Sequence, residues 1–165
     1  MNPMTWLTRE WRTRKALKYI PCGDLHVDIG CGPAKYLLSK SPCRKGVGYD
    51  MQLGERLDTT INLDSASTDC VSMIAVIEHL DHPVELLKEC HRILKPDGVF
   101  VITTPKAKGL WLMKIYDPGF AEREGDHHQH YELEEMRALL GELFEIQVYE
   151  AFQLGFNQLF VCRKK

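Results

Sequence analysis

Two stretches of this chain, Cys70–Ala75 and Val99–Thr103, are apolar almost without a break, and a segment of helical period lies between them. A strand with one wet face alternates apolar and polar residues. One that is apolar throughout is covered on both faces, as in a parallel sheet layered by helices. The intervening Pro83–Leu94 sets Val84, Leu87, Cys90 and Leu94 at helical spacing, and Lys95-Pro96-Asp97-Gly98 then supplies turn residues. Leu25–Ile29 and Gly46–Tyr49 predict two further strands, with a helix from about Ala34 to Pro42 between them, and Asp58–Leu63 predicts another strand. Leu133, Met136, Leu139 and Leu140 outline a helix. After it, Phe144, Ile146 and Val148 alternate with polar neighbours, and Asn157–Cys162 forms a last strand. Two strands joined without a helix pair antiparallel at one edge. The expected class is α/β, with a sheet parallel everywhere else.

Asn2-Pro3 starts a helix that runs to about Tyr19 and stops at Pro21. Five basic residues against Glu10 give it +4 in a chain of formal charge −2. Trp6, Trp11 and Leu17 are expected to pack it beside the sheet, leaving its arginines in water. The 165 residues make a single domain, 1–165, with an N-terminal helix over 1–20 and an irregular insertion over 105–130. The slightly acidic balance offers no global footprint for nucleic acid and argues against it as a partner class. No apolar run approaches the ~20 residues that span a bilayer, and no export segment follows Met1. Six cysteines without a C-x-x-C pair read as reduced thiols, so a cytoplasmic chain is expected.

Chemistry concentrates at Val27-Asp28-Ile29-Gly30-Cys31-Gly32-Pro33-Ala34, where a strand ends. Glycines there let a ligand approach the backbone without meeting a Cβ. Asp50 follows Asp28 by 22 residues, at the tip of the next strand, where a carboxylate accepts from both ribose hydroxyls. A dinucleotide fingerprint needs a third glycine at position 35, which is Lys35. An acid two residues before the first glycine favours a ligand with an ammonium group, hence S-adenosylmethionine (SAM) over NAD.

Asp28-Ile29-Gly30-Cys31-Gly32 resembles the glycine loop of class I SAM-dependent methyltransferases. Val76-Ile77-Glu78-His79-Leu80 and Cys90–Gly98 are similar to two further signatures of the type-11, ubiquinone/menaquinone-biosynthesis-like small-molecule branch. The resemblance covers about residues 25–165. It implies a Rossmann-like seven-stranded sheet of order 3-2-1-4-5-7-6, with strand 7 antiparallel. It also implies a methyl group moved from SAM, leaving S-adenosyl-L-homocysteine, to a small-molecule or lipid-linked acceptor. The alternative is a non-catalytic SAM-binding or regulatory module. By the family pattern Asp28, Gly30, Cys31 and Gly32 hold the methionine end and the turn. Asp50 takes the ribose, Met51 the adenine, Asn62 and Leu63 the adenine edge with Asp58 a rival for that contact, and Ile74 and Ala75 line the methionine portion. The third family glycine is Ala34. Asp69 follows Asp50 by only 19 positions, so the region from strand 2 to strand 4 is expected to be shortened, without its usual helix.

His79 and His130 are the candidate general bases, because a neutral imidazole suits proton removal near neutral pH. The competing readings are a Glu78–His79 pair that orients its loop, a capping role for 126–131, and metal ligation by His127 and His130, the least favoured. Lys108–Tyr116 carries Trp111, Leu112, Met113 and Tyr116. Residues 109–116 read as an apolar lid over the acceptor, a helix packed on the core, or a peripheral membrane contact.

Overall fold

A computed structural model describes residues 3–50, 61–106, 129 and 131–165. Helix α1 spans Pro3–Leu17. Strands β1 (Leu25–Ile29), β2 (Lys45–Tyr49) and β3 (Thr68–Ile74) follow. Then come α2 (Pro83–Ile93), β4 (Leu94–Pro105), α3 (Leu133–Gly141), β5 (Phe144–Phe152) and β6 (Asn157–Lys164). The described residues form one six-stranded sheet of order β2-β1-β3-β4-β6-β5. β1 to β4 are parallel, and β6 runs antiparallel to both β4 and β5. The expected edge hairpin is therefore present. Of the further strand expected over Asp58–Leu63, residues 58–60 lie outside the described residues, and Ile61–Leu63 is not a strand.

The period of two along each strand sends alternate residues to opposite faces. One face presents Val27, Ile29, Val71, Met73, Phe100, Ile102 and Phe160 to Leu86, Leu87 and Ile93 of α2 and to Met136 and Leu140 of α3. The other presents Cys70, Val99, Val101, Leu159 and Val161 to Ala16 and Ile20 at the α1 end and to Leu37. Both faces of the central strands are covered. The Lys95–Gly98 turn lies inside β4 rather than before it. Thr68 pairs with Leu94 and Cys70 with Val99, so the extra residues bulge out of the ladder.

Two local expectations change. α1 does not seat its tryptophans: Trp6 and Trp11 are 45% and 44% exposed. The face turned inward carries Glu10, Thr13, Ala16 and Ile20, spaced three or four apart. Glu10 accepts from the Tyr36 hydroxyl, from Arg14 (2.6 Å) and from Lys40 (3.0 Å). Those bonds, Tyr36's first, hold its carboxyl down at about 2. Lys15 and Tyr19 both donate to Glu150 of β5, and Gln153 donates to the Thr8 carbonyl (3.0 Å). Polar ties, more than aromatic packing, fix this helix.

The helix expected from Ala34 to Pro42 is a series of turns ending in a short 3₁₀ helix, Leu38–Lys40. Lys35 has φ +45°, in the left-handed region, and so interrupts a right-handed helix at its second residue. Pro42 stops any continuation. No helix among the described residues is long and apolar enough to cross a membrane.

Phe100 is fully buried and stacks at 4.9 Å from Phe144. Phe100→Ala should destabilise the fold by about 3–5 kcal/mol, read as a lower urea midpoint at unchanged slope.

Candidate functional site

From β1 the chain passes to β2 on one side, whereas β3 lies on the other. Connections that depart in opposite directions leave a crevice at the carboxyl ends of the two central strands. The turn after β1 shapes its mouth. The Gly30 N–H donates to the Tyr49 carbonyl at 2.7 Å, which ties the turn to β2. Gly30 has φ +74°, and a Cβ there would sit 2.1 Å from Cγ2 of Val76. Gly32 has φ +64°, and a Cβ there would project into open space. Asp50, at the end of β2, accepts the Gly32 N–H at 2.7 Å. Cys31 packs against Gly48, where a Cβ would meet its Sγ at 2.5 Å. Burial, reinforced by Asp28 and Asp50, pushes its thiol up to about 11, so it is an inert packing group.

A cavity of about 370 Å³ opens above this turn, a volume in the range of small-ligand sites. Asp28, the Gly30–Gly32 turn, Ile74, Ala75 and His79 bound it from the sheet side. Arg9 and Arg12 of α1 and Asn157 of β6 bound it from above and beyond. Asp28 is 3% exposed and accepts from the Ser72 hydroxyl at 2.5 Å. Burial raises its pKa to about 7, opposed by the Ser72 bond and assisted by Asp50. Ala75 sits at φ +56°, strained for a residue with a Cβ, and its N–H is held by the Thr103 carbonyl at 2.9 Å. His79 closes the 3₁₀ turn Ile77–His79 and is exposed at the cavity. Glu78 points inward, accepting from the Thr104 hydroxyl at 3.2 Å, and its carbonyl accepts the Gln129 N–H at 2.9 Å.

The crevice thus brings together Asp28, Gly30, Cys31, Gly32, Ile74, Ala75 and His79. Asp50 stands beside it, in contact through Gly32. Asn62 and Leu63 lie apart, in a shallow depression with Arg92. Arg92 donates to the carbonyls of Ile61 and Leu63, both at 2.8 Å, and Glu89 accepts the Ile61 N–H at 2.9 Å, so that segment is tied to α2. Met51, His127, His130 and residues 109–116 fall outside the described residues. The sequence reading missed Arg9, Arg12 and Asn157. The arginines flank Glu10 and Thr13 on the inward face, a pattern present in the sequence but obscured by the tryptophans. Among the described residues, Arg9 Nε and Asn157 Oδ1 are buried with no hydrogen-bond partner, and Arg9 stacks over the Tyr36 ring at 4.5 Å.

A buried carboxylate at one side, an unsatisfied guanidinium N–H at the other and an open glycine cradle between them suit a zwitterionic nucleoside. The chain belongs to the methyltransferase domain family, which matches residues 8–144, and S-adenosylmethionine is the cofactor of that family. It is 46% identical over 43 residues to a probable S-adenosylmethionine-dependent methyltransferase of Mycolicibacterium smegmatis, covering 26% of this chain and 17% of that protein. It is 26% identical over 113 residues to the ubiquinone biosynthesis O-methyltransferase of Yersinia enterocolitica, covering 54% of this chain and 46% of that one. The chain spans less than two thirds of the length of these relatives. A Pyrococcus horikoshii protein has the same fold with TM-score 0.76 at 17% identity, covering 99% of this chain and 93% of that one. So does a Haloferax volcanii methyltransferase solved with the Trm112 methyltransferase activator, with TM-score 0.76 at 18% identity, covering 95% and 91%.

Asp28 also makes the fold pH-sensitive. Its folded pKa, about 7, lies above the ordinary 3.8, so its contribution to stability is complete below 3.8 and disappears as pH rises through 7. Without ligand, Asp28→Asn should therefore gain thermal stability over wild type as pH rises from about 5 to about 8, by up to a few kcal/mol. Melting curves of both proteins across that range check it.

Proposed function

We propose that this chain is a SAM-dependent methyltransferase acting on a small-molecule or lipid-linked acceptor through a hydroxyl oxygen. The observation that carries the reading is the buried Asp28 carboxylate beneath an open glycine turn, at the fold's switch crevice. When bound, SAM supplies a sulfonium methyl, activated by its own positive charge, for in-line displacement. The protein's share is alignment and exclusion of water. In this reading Asp28 takes the amino-acid ammonium, and Arg9, whose Nε has no hydrogen-bond partner among the described residues, takes the carboxylate. Gly32, open on its Cβ side, admits the backbone-side contact, and Gly30 lets the turn close against Val76. Asp50, held by the Gly32 N–H, takes the ribose hydroxyls. The oxygen acceptor is supported by the distant ubiquinone biosynthesis O-methyltransferases. His79, exposed at the cavity, is then the base that removes the hydroxyl proton.

The decisive experiment is titration of the chain with SAM and with S-adenosyl-L-homocysteine, followed by transfer of labelled methyl to phenolic acceptors. Binding of neither cofactor form overturns the reading. Asp50→Ala should weaken SAM by about 1–3 kcal/mol, the worth of charge-assisted hydrogen bonds, in a protein that still melts cooperatively. His79→Ala should lower kcat by about 10²–10⁴ while leaving the SAM dissociation constant unchanged, and the acidic limb of the pH–rate profile should vanish with it.

A further inference from the structure

Behind Asp28 runs a line of polar groups that the reaction itself does not use. Period two places His26 and Asp28 on the same face of β1, and the parallel register sets Ser72 of β3 directly opposite Asp28. Their surroundings on that face, Cys70, Leu37 and Val101, are apolar and buried. His26 and Ser72 are fully buried. Polar groups in such a place destabilise the fold unless each is hydrogen-bonded, and these satisfy one another in series. Ser72 Oγ donates to Asp28 Oδ1 at 2.5 Å. His26 Nε2 lies 2.8 Å from Ser72 Oγ, and its Nδ1 lies 2.9 Å from Ser41 Oγ. The Cys43 N–H donates to Ser41 Oγ at 3.3 Å.

The direction of every bond follows from the first. Ser72 gives its only proton to Asp28, so its oxygen accepts from Nε2–H. That fixes the tautomer, and Nδ1 must accept from the Ser41 hydroxyl. Burial pushes the His26 imidazole down to about 4, so it is neutral, with the one donor and one acceptor that the series requires.

We propose that Ser72 and His26, backed by Ser41, are positioning residues that hold the Asp28 carboxylate in the orientation that receives the amino-acid ammonium of SAM. The inference rests on the role given to Asp28 above. The charged and titratable groups around that carboxylate are Asp50 from β2, Cys31 from the turn, Arg9 and Arg12 from α1, and Glu78 and His79 after β3. Around His26 stand Ser41, Cys43, Cys70 and Ser72. Ser72 alone in the set donates to Asp28 while accepting from the histidine. Its loss removes a bond that favours the charged carboxylate.

The test is calorimetric titration of the full chain with SAM and with 5′-methylthioadenosine, which keeps the nucleoside and the sulfur but lacks the amino-acid group. It runs between about pH 6 and 7.5, below the α-amino range of about 7.7–8.0, in buffers of different ionisation enthalpy. In wild type, SAM binding releases a proton with a midpoint near 7, and methylthioadenosine binding releases none. Asp28→Asn should abolish that release and most of the preference for SAM. Ser72→Ala should move the midpoint upward and weaken SAM about tenfold at pH ~6.5, with methylthioadenosine held within about twofold. His26→Leu should act in the same direction, and His26→Gln, whose amide can donate to Ser72, should restore the wild-type midpoint.

If Asp28→Asn behaves as stated while Ser72→Ala and His26→Leu leave midpoint and preference unchanged, the positioning role is overturned and the reading of Asp28 stands. If Asp28→Asn itself leaves the preference intact, both fall. Equal weakening of the two ligands in Ser72→Ala marks a merely structural serine and also overturns the proposal. Should His26→Leu fail to fold, the pair Ser72→Ala and Ser72→Thr decides, the threonine keeping the hydroxyl and the wild-type midpoint.

Discussion

The bond from the Gly30 N–H to the Tyr49 carbonyl governs the shape of the whole site. It joins the ends of β1 and β2 at the point where the chain must turn, and the turn works only with a left-handed backbone pressed against Val76. From that closure follow the placement of Asp28 under the crevice, the clasp of Asp50 on Gly32 and the packing of Cys31 over Gly48. No regular helix follows to stiffen the loop, so these few contacts carry its geometry. The resulting cradle presents backbone groups and carboxylates to the crevice.

Much of this was legible in the sequence because the signals are short-range. The apolar run Cys70–Ala75, the helical spacing of Leu87, Cys90 and Leu94, and the alternation of Phe144 and Ile146 each encode the local burial that the sheet realises, whereas a register shift after Ile146 sends Val148 to the opposite face. The glycine turn and Asp28 were legible for the same reason: positive φ and a buried acid are properties of individual positions. Lys35 misled because a single left-handed residue leaves no trace in helical periodicity. The tryptophans of α1 misled because size was taken for burial. The inward stripe Glu10, Thr13, Ala16, Ile20 has the right spacing but a charged member, and that charge is acceptable only because Tyr36, Arg14 and Lys40 meet it from elements distant in sequence. Asn62 and Leu63 were drawn toward the crevice by family pattern, whereas Arg92 holds their segment against α2.

The electrostatic character of the cavity is uneven along its length. Asp28 and Asp50 make the turn end acidic, and Arg9 and Arg12 make the α1 end basic. In a site shielded from water such opposed charges orient a dipolar ligand before any contact is perfected. The neutral His26 behind Asp28 adds no charge to that field and gives only direction, through Ser72.

The roof of the cavity has a consequence for assembly. α1 is joined to the hairpin of β5 and β6 through Glu150 and Gln153, residues lying 135 and 145 positions along the chain from their partners. Contacts so remote in sequence form late, because a long loop must close before they gain anything. The central strands and the glycine turn can therefore organise while the basic helix is still unattached. The enclosure ripens only when the two extremities of the described polypeptide meet.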